Sequence, residues 1–487
     1  MTFTDYVFKF SKKLEKTALI DNKKISYKQI YSKIIILEKM LRNKGLNKKD
    51  SVLLISENST FFVQCYFGII KNGTVCVPIN PNLSIKDICY IVESLKIKNI
   101  FIQKKFLEKL SELQNIDIYT EEDVNLLEKN KNDRINMNVD IEELAVILFT
   151  SGSTAEPKGV MLTHNNLICN TNSIIKYLNL NKEDRIEVVL PFYYCYGTSL
   201  LHTHFRVGGS LVINNKFLFP ETVLNDINNY KCTGFAGVPS TFQILLRMSD
   251  IKNRKFPSLR YITQAGGRMS NIFINELIQV LPRVDIFIMY GQTEATARLS
   301  YLPPRLLKDK MGSIGRGIPG IKLKVLNKEG KEVKTGEIGE IVAEGNNIMK
   351  GYFNDEEETK KILKNGCLYT GDMATVDNEG YIYILSREKN IIKSAGNRVS
   401  PKEIEDIILQ INEVIECVVV GVEDDILGEA IKAFIVLKNC SINCNSIIEY
   451  CKGKLPNYKV PKYIEILKSL PKNSSGKVML KKLKQMS

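Results

Sequence analysis

Thr150-Ser-Gly-Ser-Thr-Ala-Glu-Pro-Lys158-Gly159 gathers four hydroxyl side chains, two glycines and a lysine in one short stretch, directly after the apolar run Leu144 to Phe149. Hydroxyls and successive backbone N–H groups in such a turn converge on an anion, and the lysine adds charge, which is chemistry suited to a polyphosphate. A Walker loop needs glycine directly before its lysine and Ser or Thr directly after; Pro157 and Gly159 occupy those places, so a P-loop NTPase is excluded. A polar surface turn after a buried strand would share this composition, and the ten residues alone leave that alternative open.

Other stretches carry compatible chemistry. Asp285-Ile-Phe-Ile-Met289 has the pattern of a buried strand and runs into Tyr290-Gly291-Gln-Thr293-Glu294, an aromatic, a glycine, a hydroxyl and a carboxylate where α/β sheets place their ligands. Glu294 suits a magnesium ion, which takes oxygen ligands and few protein carboxylates; the alternative is a solvated turn glutamate. Tyr369-Thr-Gly-Asp372 falls between strand patterns, and its carboxylate is suited to accept from two ribose hydroxyls, although aspartate is also common in turns for local reasons. Pro191-Phe-Tyr-Tyr194-Cys-Tyr-Gly197 reads as core or as the wall of an apolar pocket. Gly234 to Pro239, which includes Gly237 and Val238, and Tyr261 to Gly267, which includes Ala265 and Gly266, put glycine at element ends where backbone approaches a ligand closely. Gly315-Arg-Gly-Ile-Pro-Gly320 satisfies GxGxxG, but Pro319 interrupts it and an alternating run follows, so it reads as a loop entering antiparallel β structure.

The elements that must position these residues form a rhythm. Ser51 to Ser56, Val75 to Ile79 and Ile97 to Ile102 are strand-like, with helical patterns at Phe61 to Lys71 and Ile85 to Leu95 between them, and a second series runs from Arg185 to Met289. This predicts an α/β fold with doubly wound sheets. Ile321 to Val325, Glu337 to Val342 and Gly380 to Leu385 predict a β-rich subdomain. Helix from Pro401 to Ile411, strands over Cys417 to Val422 and Ile431 to Leu437, and a helix from Ile447 to Lys454 predict a small α+β C-terminal domain. At 487 residues more than one domain is expected. The boundary is placed at 386/387, where Arg387 to Gly396 mixes charge, apolar residues and glycine. Pro471 to Lys477 reads as an exposed loop.

Composition narrows the function classes. The net charge of +14 is spread as lysine along the chain without basic runs interleaved with aromatics, so nucleic acid is not an expected partner. The 3 histidines and 11 scattered cysteines offer few ligands for zinc. An odd cysteine count and the lack of a secretory leader predict a reducing cytoplasm, and no apolar run is long enough for a membrane span.

Taken in order, Thr150–Gly159, Tyr290–Glu294, Gly336-Glu-Ile-Gly-Glu340, Tyr369–Asp372, Arg387 through Gly396 and Ser475-Gly-Lys477 resemble the motifs of the adenylate-forming superfamily of acyl-CoA synthetases, peptide-synthetase adenylation domains and luciferases, and the resemblance spans essentially the whole chain. It implies that a carboxylic acid attacks the α-phosphate of ATP to give acyl-AMP and pyrophosphate, after which a thiol displaces AMP to give a thioester, with Mg2+ and CoA or phosphopantetheine taking part. It also implies that Thr150, Ser151, Gly152, Ser153, Thr154 and Lys158 hold the β- and γ-phosphates, with Thr293 near the α-phosphate and Glu294 at the metal. Adenine would lie against Ala265, Gly266, Gly267, Tyr290 and Gly291, the ribose on Asp372 and Arg387, and the acid beside Tyr194, Gly237 and Val238. Lys477 would bridge acid and α-phosphate, Lys389 would be the hinge, and Lys393 and Gly396 would face the thiol tunnel.

Departures from the pattern refine this. Ala155 and Leu480 replace a usual glycine and a frequent arginine, and Tyr194 stands where many relatives have histidine. The aspartate that anchors an amino group in amino-acid-activating relatives is missing, which implies a fatty or aryl acid. An enzyme loading a separate acyl carrier protein is the alternative, and a catalytically inactive nucleotide-binding regulator the distant one.

Overall fold

The computed structural model describes residues 1–127, 139–150, 157–387, 392–394, 397–424, 427–439, 442–472 and 478–486. Ser151, Gly152, Ser153, Thr154, Lys389, Gly396 and Lys477 lie outside the described residues, as does the side chain of Arg387.

Two large sheets carry the first part of the chain. The seven-stranded one runs Gly351–Tyr352, Lys158–Thr163, Leu144–Thr150, Val75–Ile79, Ser51–Ile55, Asn99–Ile102, Asp117–Tyr119 in space. From Leu144–Thr150 onward its neighbours are parallel, while Lys158–Thr163 turns back antiparallel. The nine-stranded sheet is built on parallel strands Asp285–Tyr290, Tyr261–Gln264, Gly234–Gly237, Arg185–Val188 and Ser210–Ile213. At its far edge Thr17–Asp21 pairs parallel with Ser210–Ile213, and Lys23–Ser26 closes a hairpin.

The helix Thr60–Asn72 explains how the sheets stack. It starts on Ser59, whose hydroxyl accepts from the Phe62 amide, and ends on Gly73 at φ +82°. Phe61 to Ile70 is buried all round, as expected of a helix packed on every side. Gly68 lets it press on the helix Tyr27–Asn43, since a Cβ there would lie 2.8 Å from Leu37 Cβ.

A third sheet, antiparallel, joins Lys322–Leu326, Gly339–Glu344, Cys367–Val376 and Ile382–Arg387. Tyr369 to Asp372 lies inside its ten-residue strand rather than in a turn. The alternative that Asp372 is there for a local turn therefore does not hold, and Gly371 takes φ +73° without breaking the strand. The GxGxxG stretch opens no helix: Arg316–Gly317 pairs antiparallel with Ser300–Leu302, and a Cβ on Gly315 would meet the Tyr301 carbonyl at 1.8 Å.

The last sheet, built around the hairpin Val414–Asp424 and Gly428–Leu437, packs with the helices Pro401–Ile408 and Cys444–Lys452. One hydrophobic cluster runs from Phe235, Leu246 and Phe273 through to Ile404, Val419 and Ile435, so the C-terminal unit is seated against the nine-stranded sheet.

Candidate active site

The C-terminal ends of the parallel strands of the nine-stranded sheet converge on one cleft of about 500 Å³. Val238, Gly266, Gly267, Tyr290, Gly291 and Asp372 line one side, and Lys402, Glu405, Asp406, Lys472, Val478 and Leu480 line the other. Gly266 takes φ +88° and brings its backbone against the Val238 side chain; a Cβ would sit 3.0 Å from Val238 Cγ1. The Gln264 amide donates to the Gly267 carbonyl at 2.8 Å and fixes the turn. Ala265 and Gly237 are buried just behind it, and the Ala265 amide donates to the Gly237 carbonyl at 3.4 Å.

Tyr290 and Asp372, 82 residues apart, meet in this cleft: the Tyr290 hydroxyl donates to Asp372 Oδ2 at 2.8 Å. Asp372 stands opposite Arg387 in the strand register. The chain turns sharply after Tyr290, because a Cβ on Gly291 would lie 2.1 Å from the Ala297 carbonyl oxygen. That turn carries Thr293, whose hydroxyl reaches Cys195 Sγ at 3.5 Å, and Glu294.

Glu294 belongs to a second group of side chains. Its Oε1 accepts from the Tyr352 hydroxyl at 2.8 Å, and its carbonyl accepts from the Met349 amide at 2.9 Å. Lys158 Nζ lies 5.3 Å from the Tyr352 ring centroid and pairs with Glu358 at 2.5 Å and Asp355 at 4.0 Å. The hydrogen bond from Lys158 leads in pulling the Glu358 carboxyl down to about 2. Burial first and then the Glu294 charge push the Tyr352 phenol up, so it stays a donor. Thr150, at the end of its strand, faces Lys158 in register.

A magnesium ion fits this donor set in one way. Among the described residues no three His, Cys, Asp or Glu side chains cluster as a metal cage. Glu294 is a lone carboxylate with Oε2 free of protein donors among the described residues, which suits an ion completed by phosphate oxygens and water.

Other expected positions fall elsewhere. Tyr194 caps the helix Cys195–Val207, half-buried beside Tyr193 at 5.0 Å between centroids, and lines neither the large cleft nor the small cavity behind Cys195. Phe192 and Tyr196 of the same segment are core, and a Cβ on Gly197 would meet the Pro191 carbonyl at 2.0 Å. Lys393 is exposed on the strand Ile392–Ser394, its amide donating to Glu429 at 2.6 Å. Sequence reasoning passes over Tyr352, Glu358 and the ion pair of Arg268 with Asp406 at 3.0 Å. The signal for the first two was the aromatic and acidic run Tyr352 to Glu358, which has no apolar periodicity.

Similar proteins share this fold over nearly the whole chain. The long-chain-fatty-acid–CoA ligase of Bacillus subtilis is 28% identical over 96% of this chain and 91% of its own length. The 2-succinylbenzoate–CoA ligase of the same organism is 28% identical over 96% of this chain and 95% of its own. Among solved structures, the anthranilate CoA ligase in complex with anthranoyl-AMP superposes with a TM-score of 0.91 at 25% identity, covering 100% of this chain and 97% of that one. An O-succinylbenzoate coenzyme A synthetase from Bacillus subtilis, in complex with ATP and magnesium ion, superposes with a TM-score of 0.86 at 26% identity, covering 99% of each chain. Residues 403–477 match the AMP-binding enzyme C-terminal domain, residues 9–353 match the AMP-binding enzyme family, and the chain belongs to that family.

Proposed function

We propose that the cleft activates an aryl or fatty carboxylic acid as its acyl-AMP and passes the acyl group to CoA. The chain is an AMP-forming acid–thiol ligase acting on ATP and a small-molecule carboxylic acid, with CoA as acceptor thiol. The observation that carries the reading is the meeting of Tyr290 with Asp372 over the Gly266 turn, a flat aromatic and a carboxylate spaced by one hydrogen bond, as a purine nucleoside requires.

In this reading Asp372 and Arg387 bind the ribose, and Ala265 to Gly267 with Tyr290 and Gly291 flank adenine. Thr150, Ser151, Gly152, Ser153, Thr154 and Lys158 take the β- and γ-phosphates, and Thr293 the α-phosphate. Glu294 would hold magnesium, which when bound offsets charge on the phosphates. Gly237 and Val238 bound the acid. Lys477 steadies the charge that grows as the acid carboxylate attacks. Residues 1–386 form the nucleotide- and acid-binding domain, and 387–487 a mobile domain turning at Lys389, with Lys393 and Gly396 facing the thiol. No helix among the described residues is long and apolar enough to cross a membrane, and we assign the enzyme to the cytoplasm.

The test is acid-dependent ATP–pyrophosphate exchange across fatty, aryl and amino acids, followed by thioester formation with CoA or with a separate carrier protein's phosphopantetheine arm. Exchange with aryl or fatty acids and transfer to CoA is the expected result. Exchange confined to amino acids, or none with any acid, overturns it.

A further inference from the structure

Against the expectation of lysines spread evenly and away from aromatics, Phe8-Lys9-Phe10-Ser-Lys12-Lys13-Leu14-Glu-Lys16 interleaves basic with aromatic and aliphatic residues. Phe8 and Ser11 are buried, while Lys9, Phe10, Lys12, Lys13 and Leu14 are exposed. Successive turns set this pattern: the Ser11 and Lys12 amides both donate to the Phe8 carbonyl at 3.3 Å, and the Leu14 amide donates to the Ser11 carbonyl at 2.9 Å. Phe8 fastens the stretch by packing on Phe67 at 5.0 Å and Phe205 at 5.7 Å between ring centroids. At the far end Lys16 Nζ donates to the Gly208 carbonyl at 2.9 Å. The outward side chains therefore stand on a fixed base.

Phe10 is 71% exposed and Leu14 41%. The Arg206 guanidinium carbon lies 5.0 Å from the Phe10 ring centroid, and Lys9 Nζ lies 5.3 Å from it. Glu15, the acid of the stretch, pairs with Lys28 at 2.5 Å, whereas Lys9, Lys12 and Lys13 make no ion pair among the described residues. Two apolar side chains thus project among cations that have no protein counter-charge. That combination suits the headgroup region of an anionic bilayer, where apolar tips leave water while ammonium groups stay at the phosphates. Leu14 has no face on which a base could stack, and the Phe10 ring is already engaged by cations, so lipid fits the patch better than nucleic acid.

We propose that Phe10 and Leu14, ringed by Lys9, Lys12 and Lys13, dock the protein on an anionic lipid surface. The strand Thr17–Asp21 follows the stretch directly and runs parallel to Ser210–Ile213, so the patch lies toward the N-terminal ends of strands whose C-terminal ends form the cleft. Docking through it leaves the cleft facing away from the bilayer.

The test is co-sedimentation with phosphatidylcholine vesicles, with and without phosphatidylglycerol, using the full chain. The wild type should sediment with the phosphatidylglycerol vesicles alone, and less as salt is raised. Replacing Lys9, Lys12 and Lys13 together by Glu should weaken binding on the order of a hundredfold, and Phe10→Ser with Leu14→Ser about tenfold. Glu at Lys328, Lys331 and Lys334, exposed lysines of the third sheet's loops, makes the same change in net charge and should cost no more than about twofold. Melting temperatures should stay unchanged throughout; if the Phe10 and Leu14 variant does not fold, the two lysine triples decide. No binding to phosphatidylglycerol vesicles, equal binding to phosphatidylcholine, equal losses in the two triples, or a folded Phe10 and Leu14 variant that binds like wild type overturns the proposal. So does tighter binding of a DNA duplex than of the vesicles through the same lysines.

Discussion

The Tyr352 hydroxyl donates to Glu294 Oε1 at 2.8 Å, while the same ring lies 5.3 Å from the Lys158 ammonium. Glu294 is therefore no solvated turn glutamate. Its carboxylate is aimed by a residue from the strand Gly351–Tyr352, which also pairs with the Lys158 strand. Removing the hydroxyl with Tyr352→Phe leaves the ring packing but frees the carboxylate. A lost hydrogen bond to a charged group corresponds to roughly tenfold in apparent affinity. The expected outcome is a magnesium requirement raised by roughly that factor, read from exchange rates at varied magnesium and fixed ATP, with thermal stability nearly unchanged. An unchanged magnesium profile would show that Tyr352 is packing only.

Glu294→Gln and Asp372→Ala act by different routes. The first removes the charge offered to the metal and should depress adenylation in a manner that extra magnesium partly restores. The second strips Tyr290 of its partner and the nucleoside of its carboxylate, so KM for ATP should rise without any change in magnesium dependence. Two variants that lose ATP affinity equally and respond alike to magnesium would contradict these roles.

How much of this could be read in the chain depends on how local each cause is. Val75–Ile79 is a strand in both readings because five consecutive buried residues leave no other period, and Phe61 to Lys71 is a helix because its length exceeds a strand's. The strand Lys158–Thr163 was missed. Its start coincides with the polar loop, and its pairing with Leu144–Thr150 is a tertiary fact. The hairpin Thr17–Ser26 was missed for the same reason: its partner, Ser210–Ile213, lies almost two hundred residues away. In the site, Tyr290 and Asp372 stand out because each belongs to a short stretch that sets a glycine beside groups suited to a nucleotide, Tyr290–Glu294 and Tyr369–Asp372. Tyr352 and Glu358 act through partners from other elements, Glu294 and Lys158, and the aromatic and acidic run that holds them does not name those partners.

Stability should fall on acidification through the histidines. Burial lowers His202 to about 3, and His164 and His204 to about 4, from an ordinary 6.5. For a group whose folded value is depressed, stability is complete above its unfolded value and is lost as pH falls toward the folded one. The window therefore runs from about pH 6.5 down to about 4, each histidine contributing on the order of 3 kcal/mol once fully expressed. His202→Gln should flatten the decline between those limits while lowering stability at neutral pH, because Tyr66 loses a ring nitrogen partner at 2.9 Å. Denaturant unfolding at several pH values measures both. A parallel decline in wild type and variant would refute the assignment.

Glu187 has the opposite sign. It is fully buried, Oε1 has no partner, and burial followed by the nearby Asp226 charge raises its carboxyl well above the ordinary 4.5. Stability from such a group is present below the unfolded value and is lost as pH climbs toward the folded one. Glu187→Gln should therefore stabilise the protein increasingly above about pH 4.5 and give little benefit below it. Melting temperatures across that range decide, and a constant offset between the two proteins would mean that Glu187 does not titrate as described.

The ion pair between Arg268 and Asp406 spans from the turn after Gly267 to the helix Pro401–Ile408, next to Lys402, whose ammonium burial and the Arg268 charge both push down. If the C-terminal domain moves between the two half-reactions, this contact must break in one of them. Both partners are partly exposed, so the pair contributes little to overall stability, roughly 0.2–1 kcal/mol, but that is enough to shift a balanced pair of arrangements several-fold. Asp406→Asn should thus change the ratio of pyrophosphate exchange to thioester formation from supplied acyl-AMP without altering the melting temperature appreciably. Lys477→Ala calibrates the comparison: it should abolish exchange and spare thioester formation. If Asp406→Asn scales both half-reactions equally while Lys477→Ala separates them, the contact belongs to a fixed interface, and the alternation turns on residues elsewhere.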